Sequence, residues 1–187
     1  MRVVAGQFGG RKLSALKGLK MRPTSDRLRE TLFNILGPMV KDSVFLDLFA
    51  GTGAVGIEAL SRGAGQAIFV ELHAAAVLLI RKNLKSLGIA TGVEIISSDA
   101  ARALERLESR RVHVDLVYLD PPYDQSEVYN GTLEFLGAAN VLAPRGCVIA
   151  EHATRRPLAE RFGDLERVRL VEQGDASLSF YRLALAA

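Results

Sequence analysis

At 187 residues, with 49% apolar and 24% charged side chains, the chain has the size of one domain and enough apolar surface to bury a sizeable core. No apolar run is long enough for a membrane span, and the opening "MRVVAGQFGGRKL" lacks the continuous apolar stretch of a secretion signal, so a cytoplasmic protein is expected. The formal charge of +3 is uneven: residues 1–42 hold nine Lys/Arg against three Asp/Glu, a net of +6, and the rest a net of −3, as in a polyanion-binding extension on a mildly acidic body.

Residues 2–20 mix short apolar pieces, glycines and basic residues, which predicts a small β-hairpin with Gly9 and Gly10 in its turn. The division expected is a basic β-extension over 1–22 and a main domain over 23–187. In "RPTSDRLRETLFNILGP", Thr24 or Ser25 can cap a helix that has Asp26 in its first turn. Leu28, Leu32, Ile35 and Leu36 share one face, Arg27, Glu30 and Asn34 lie toward the other, and Gly37-Pro38 ends the helix.

From residue 43 short apolar runs alternate with helical segments. Strands are expected over 44–48, 67–71, 93–97, 114–119 and 146–151. Helices are expected over 54–62, 73–87, 100–109, 126–138 and roughly 155–162. This alternation implies a parallel sheet covered on both faces. The final "LERVRLVEQGDASLSFYRLAL" reads as an antiparallel hairpin around Gly174-Asp175, which makes seven strands in all.

The single cysteine, Cys147, excludes an internal disulfide and suits a reducing compartment. It sits in "CVIAE", an apolar run that reads as a buried strand, so a packed thiol is expected rather than a nucleophile. His73, His113 and His152 have no metal-ligand spacing, and no metal site is expected.

The stretch "LDLFAGTGAVG" holds Gly51, Gly53 and Gly56 in G-x-G-x-x-G spacing after the first strand of the sheet and at the start of a helix. Such a loop serves either a dinucleotide or S-adenosylmethionine. Asp47 separates the two. A carboxylate there would repel a pyrophosphate, whereas it can neutralise the ammonium and sulfonium of S-adenosylmethionine. Glu71, ending the next strand, can accept bonds from ribose hydroxyls in either case. Asp99, after the third strand, could meet the adenine amino group, with a helix cap as its competing role.

The fourth strand ends in "VYLDPPY", residues 117–123. Its two prolines fix an extended turn and remove two N–H groups. The Asp120 side chain, the Pro121 carbonyl and the Tyr123 ring can then face one point: two acceptors and a stacking surface for a planar base with an exocyclic amine. Tyr118, inside the strand, reads as core.

With these motifs the chain resembles the Rossmann-like amino-methyltransferases. The blocks "RVVAGQFGGRKL" and "RPTSDRLRETLFNIL" narrow the resemblance to the bacterial guanine-N2 methyltransferases of small-subunit ribosomal RNA. The resemblance runs essentially end to end. It implies a seven-stranded S-adenosylmethionine-dependent fold with a final antiparallel hairpin, a small N-terminal β-extension, and a guanine of small-subunit RNA as target, in an assembled or assembling particle. Carried over by motif, Asp47, Gly51, Thr52 and Gly53 would cradle the cofactor, with Glu71 and Leu72 at the ribose and Asp99 and Ala100 near adenine. Asp120, Pro121, Pro122 and Tyr123 would hold the guanine.

The chemistry this implies is direct methyl transfer, with Asp120 and the Pro121 carbonyl drawing aside the amine hydrogens so that the lone pair faces the methyl. Either Asp120 or solvent takes the released proton. Arg11, Lys12, Lys17, Lys20, Arg22, Arg27 and Arg29 are candidate phosphate contacts, Arg22 and Arg27 foremost. Three alternatives remain: a DNA amino-methyltransferase, for which a target-recognition domain has no room; an NAD-dependent dehydrogenase, which Asp47 opposes; and a non-catalytic ribosome-assembly factor. A self-contained domain of this size is expected to be a monomer.

Overall fold

The computed structural model describes residues 1–15, 25–121 and 126–184. Its elements run α1 (Asp26–Leu36), β1 (Val44–Leu48), α2 (Ala54–Ser61), β2 (Gln66–Val70), α3 (Ala74–Leu87), β3 (Val93–Ile96), α4 (Ala100–Ser109), β4 (Val114–Leu119), α5 (Ser126–Ala138), β5 (Leu142–Ala153), β6 (Arg161–Phe162), β7 (Leu165–Gln173) and β8 (Ala176–Leu183). They form one sheet in the order β3-β2-β1-β4-β5-β8-β7-β6. Strands β1 to β5 pair in parallel, and β8, β7 and β6 follow in antiparallel fashion. The order reverses between β1 and β4, the point at which an open α/β sheet opens a crevice beyond its strand ends.

Side-chain alternation along the strands sorts the core into two faces. Leu46, Leu48, Ile68, Val70, Val117, Leu119, Val148 and Ala150 pack against Ala103, Leu104 and Leu107 of α4 and Leu133 and Leu136 of α5. Across the sheet, Phe45, Leu116, Tyr118 and Ile149 meet Leu28, Leu32, Phe33 and Leu36 of α1. Beside them Ala67 and Phe69 meet Ile57 of α2 and Ile80 and Leu84 of α3. Ser25 caps α1, its hydroxyl accepting from the Leu28 amide at 3.1 Å. Ile35, expected on the apolar stripe, is only half-buried, and Phe33 takes the central place.

Among the described residues the sheet has eight strands instead of seven, and no helix forms over 155–162. Leu158 and Phe162 mimic helical spacing, but Pro157 disfavours helical backbone at the residue before it. The chain turns over 154–156 and then forms β6, with Phe162 opposite Leu165. Burial of the Phe162 ring, edge-on to Tyr181 at 5.7 Å, decides the outcome. Strand β5 is also longer than the expected 146–151, since it continues as partner of both β4 and β8.

The hairpin expected near the N-terminus reduces, over residues 1–15, to a single bridge between Arg2 and Lys12. What orders this arm is the body beneath it. The buried Glu58 carboxylate accepts the Val4 and Ala5 amides at 2.7 and 3.0 Å. Ser61 accepts the Phe8 amide, and Asn83 accepts the Ser14 amide. Val3 and Leu13 enter the same core as Ile57 and Phe69.

Candidate active site

Four of the five parallel strands lead directly to an acid at the carboxyl edge of the sheet. Asp47 lies in β1, Glu71 follows β2, Asp120 follows β4 and Glu151 lies near the end of β5. Asp99, three residues past β3, is the fifth. The sheet therefore presents a row of carboxyl groups around its switch point.

Asp47 is 1% exposed and sits in a row between Phe69 and Tyr118. Its carboxyl accepts the Gly56 amide at 2.9 Å, tying β1 to the first turn of α2. Burial lifts its pKa to about 7; the Gly56 hydrogen bond opposes that shift and the negative Glu71 adds to it. Glu71, also buried, accepts from the Gly51 amide and the His73 amide, each at 2.8 Å. Two buried acids thus pin the glycine loop from opposite ends. The loop places Phe49, Gly51 and Gly53 in the left-handed region, at φ of 65°, 54° and 76°. For Phe49 this is strained backbone, held by the structure around it. Gly56 serves packing: a Cβ there would lie 2.4 Å from the Phe69 ring.

Thr52 is joined to this loop from behind, its carbonyl accepting from the Asn83 side chain at 3.0 Å. The same amide group donates to Ser14, so Asn83 links the arm to the loop. Leu72 is 60% exposed at the sheet edge, and Ala100 is buried in the first turn of α4. Asp99 takes its competing role: it caps α4, accepting the Arg102 amide at 2.9 Å.

Pairing of Leu48 with Leu119 carries β1 and β4 out of the sheet side by side. The glycine loop and the Asp120-Pro121 turn are therefore neighbours. Asp120 is half-buried, and Pro121 is buried with its carbonyl 3.3 Å from the Tyr129 hydroxyl. Pro122 and Tyr123 lie outside the described residues, as do Lys17, Lys20 and Arg22. Arg11, Lys12 and Arg27 are exposed, Arg11 spending one nitrogen on the Ser86 carbonyl. Arg29 is no phosphate contact. It is fully buried and pairs with Asp26 at 2.7 Å and with the Arg2 carbonyl at 2.6 Å.

Sequence reasoning missed Glu151, Tyr129 and Asn83. A signal existed for Glu151, since "CVIAE" ends an apolar strand in an acid just as "VFLD" and "IFVE" do. Nothing local marks Tyr129 or Asn83, whose roles depend on what the fold brings to them.

The chain matches the profile of a family described as "Conserved hypothetical protein 95" over residues 1–182. It is 36% identical to YlbH of Bacillus subtilis, a candidate rRNA methyltransferase by its name, over 97% of this chain and 98% of that one. It is 34% identical to ribosomal RNA small subunit methyltransferase D of Haemophilus influenzae, over 98% of this chain and 92% of that one. Among solved structures, the Escherichia coli protein yhhF, named as a candidate methyltransferase, superposes with a TM-score of 0.83 at 33% identity, covering 100% of this chain and 99% of that one. The fold is thus the Rossmann-like fold that the motifs imply. With a match that leaves out only the last few residues, the chain belongs to the family described as Conserved hypothetical protein 95.

Proposed function

We propose that the protein transfers a methyl group from S-adenosylmethionine to the exocyclic N2 amine of a guanine in small-subunit ribosomal RNA, in an assembled or assembling particle. Relatives named as ribosomal RNA methyltransferases support the reaction class. The observation that carries the reading is the pairing of Leu48 with Leu119, which sets an acid-lined glycine loop beside an Asp-Pro turn. Guanine and its N2 position rest on the resemblance of the N-terminal blocks and the D-P-P-Y turn.

The donor set fits the cofactor. Asp47 is a buried acid whose ionisation is opposed by burial and by the neighbouring Glu71, and a ligand bearing ammonium and sulfonium charge relieves that penalty. When bound, S-adenosylmethionine supplies the methyl: its C–S bond breaks as the C–N bond forms, and sulfur keeps the electron pair. The chain's own part is positioning and electrostatics. Asp47 and Glu71 hold the loop through Gly56 and Gly51 and offer negative charge to the cofactor. Asp120 and the Pro121 carbonyl accept the amine hydrogens and stabilise the positive charge that grows on nitrogen. The proton then leaves to Asp120 or to water. Cys147 is buried with its thiol pKa raised by that burial, so no thiolate participates.

The experiment is transfer of labelled methyl to small subunits from cells lacking the enzyme, to protein-free ribosomal RNA and to duplex DNA, followed by nucleoside analysis. Label in N2-methylguanosine that falls by at least about 100-fold in rate with Asp120→Ala is expected. Label in DNA alone would replace the substrate. Cofactor binding without transfer to any acceptor would favour an assembly factor.

A further inference from the structure

Glu151 is a carboxylate that the reaction as described does not use, and it is only 2% exposed. Leu119 pairs with Ala150 in parallel register, so Asp120 and Glu151 come next on adjacent strands, at the same edge of the sheet. Two tyrosines hold Glu151 from opposite faces. On the face covered by α1, the Tyr118 hydroxyl donates to the Glu151 carboxylate. On the face covered by α5, the Tyr129 hydroxyl donates to the Glu151 carbonyl at 2.6 Å. Tyr118 and Tyr129 are each 2% exposed. The same Tyr129 oxygen lies 3.3 Å from the Pro121 carbonyl.

The Tyr129 hydroxyl has one proton, shared between a short bond to the Glu151 carbonyl and a longer, weaker one to the Pro121 carbonyl. The Pro121 carbonyl is thereby tethered to β5 by one weak bond, with a second lone pair left over. That matters because Pro121 and Pro122 have no N–H with which to anchor the turn to the sheet. Its direction has to come from side chains. A buried carboxylate is also a costly strut, since an apolar pair of similar volume usually stabilises a strand as well or better. Its place beside Asp120, two residues after the strand position that pairs with Tyr118, links that cost to the turn.

We propose that Glu151, Tyr118 and Tyr129 are positioning residues that aim the Asp120 carboxylate and the Pro121 carbonyl at the reacting amine. The proposal rests on the methyl-transfer reading above. Tyr118 fixes the strand just before the turn, Tyr129 fixes the carbonyl after it, and both take their reference from Glu151.

The test compares Tyr129→Phe, Tyr118→Phe and Glu151→Gln with the wild-type chain. Affinity for S-adenosylmethionine is measured by calorimetry and the methyl-transfer step by single turnover on unmethylated small subunits. Hydrogen exchange is followed in the peptide that contains Asp120 and in the glycine loop. Expected are cofactor affinities within about twofold of wild type and single-turnover rates lower by about 10- to 100-fold. Faster exchange is expected around Asp120 but not in the glycine loop. The double variant Tyr118→Phe/Glu151→Gln should be no slower than the worse single one, because Tyr118→Phe removes the same hydrogen bond that Glu151→Gln weakens by taking away the acceptor's charge. Rates within twofold of wild type, or a matching loss of cofactor affinity, would overturn the proposal. If the wild-type chain transfers no methyl to any acceptor, the reaction assignment fails, and exchange decides the positioning role: faster around Asp120 supports it, unchanged refutes it.

Discussion

Asp47 is a residue unfavourable for folding that the proposed function makes useful for binding. In the folded chain its carboxyl keeps a proton up to about pH 7, against 3.8 for an unperturbed aspartate. Between those values the folded state binds more protons than the unfolded one, so stability falls as pH rises, and the full penalty is present above pH 7. Asp47→Asn removes this ionisation and keeps an oxygen for the Gly56 amide. The variant should therefore match wild type near pH 4 and exceed it by on the order of 2–4 kcal/mol at pH 8, read from urea unfolding. Affinity for S-adenosylmethionine should move the opposite way. It should rise with pH through 7 in the wild type and be weak and flat with pH in Asp47→Asn. Equal cofactor affinity in the two proteins would remove Asp47 from the binding site. Gly56 makes a purely steric case beside it. The Cβ of Gly56→Ala would meet the buried Phe69 ring at 2.4 Å, and thermal unfolding should report a loss of about 1–3 kcal/mol. An unchanged melting temperature would mean that the ring moves aside at no cost.

Among the elements, the arm is the one whose behaviour departs furthest from its composition. Its glycines and cations suggest a free polyanion-binding extension, yet residues 1–15 are held by buried groups of α2 and α3. Glu58 is the main one, fully buried and accepting two arm amides as well as Arg62 at 2.8 Å. Glu58→Ala leaves those donors unmatched, and a loss of about 2–4 kcal/mol is expected on unfolding in urea. Trypsin should also cleave faster at Arg11 and Lys12 in the native protein. A loss of stability without faster cleavage there would show that the arm stays docked by its apolar contacts alone. This element also marks the limit of what was legible in the sequence. Strands β1 to β4 and helices α2 to α4 can be read from it because period and length agree within each segment. The acids at the strand ends, Asp47, Glu71 and Asp120, are legible for the same reason. Segment 155–162 misleads because Leu158 and Phe162 sit at helical spacing while a tertiary contact, the Tyr181 ring, claims Phe162. Glu58, Asn83 and Tyr129 are illegible locally because their partners lie 54, 69 and 22 residues away. Polar side chains in helices look solvated until the fold brings backbone groups to them.

For the whole molecule the question is how much of its charge asymmetry can reach a polyanion. The net of +6 over residues 1–42 includes Arg29, which is fully buried on Asp26, and Arg2, 3.7 Å from the same carboxylate. Part of the basic character thus neutralises an acid inside the structure. Lys12 on the arm and Arg27 on α1 remain exposed among the described residues, and Arg11 keeps part of its guanidinium free of Ser86. If these groups meet phosphates, each releases counterions when the particle binds. Binding of the wild-type chain to unmethylated small subunits should weaken linearly on a log–log plot against salt. Lys12→Gln and Arg27→Gln should each lower the slope by about 0.7. Both should leave the affinity for S-adenosylmethionine unchanged. Arg29→Met should give the contrary pattern, unchanged slope with lower stability, because a buried guanidinium has no phosphate to meet. A slope that ignores Lys12 and Arg27 would locate RNA contact in other residues, and the charge asymmetry would then concern solubility and encounter rate rather than docking.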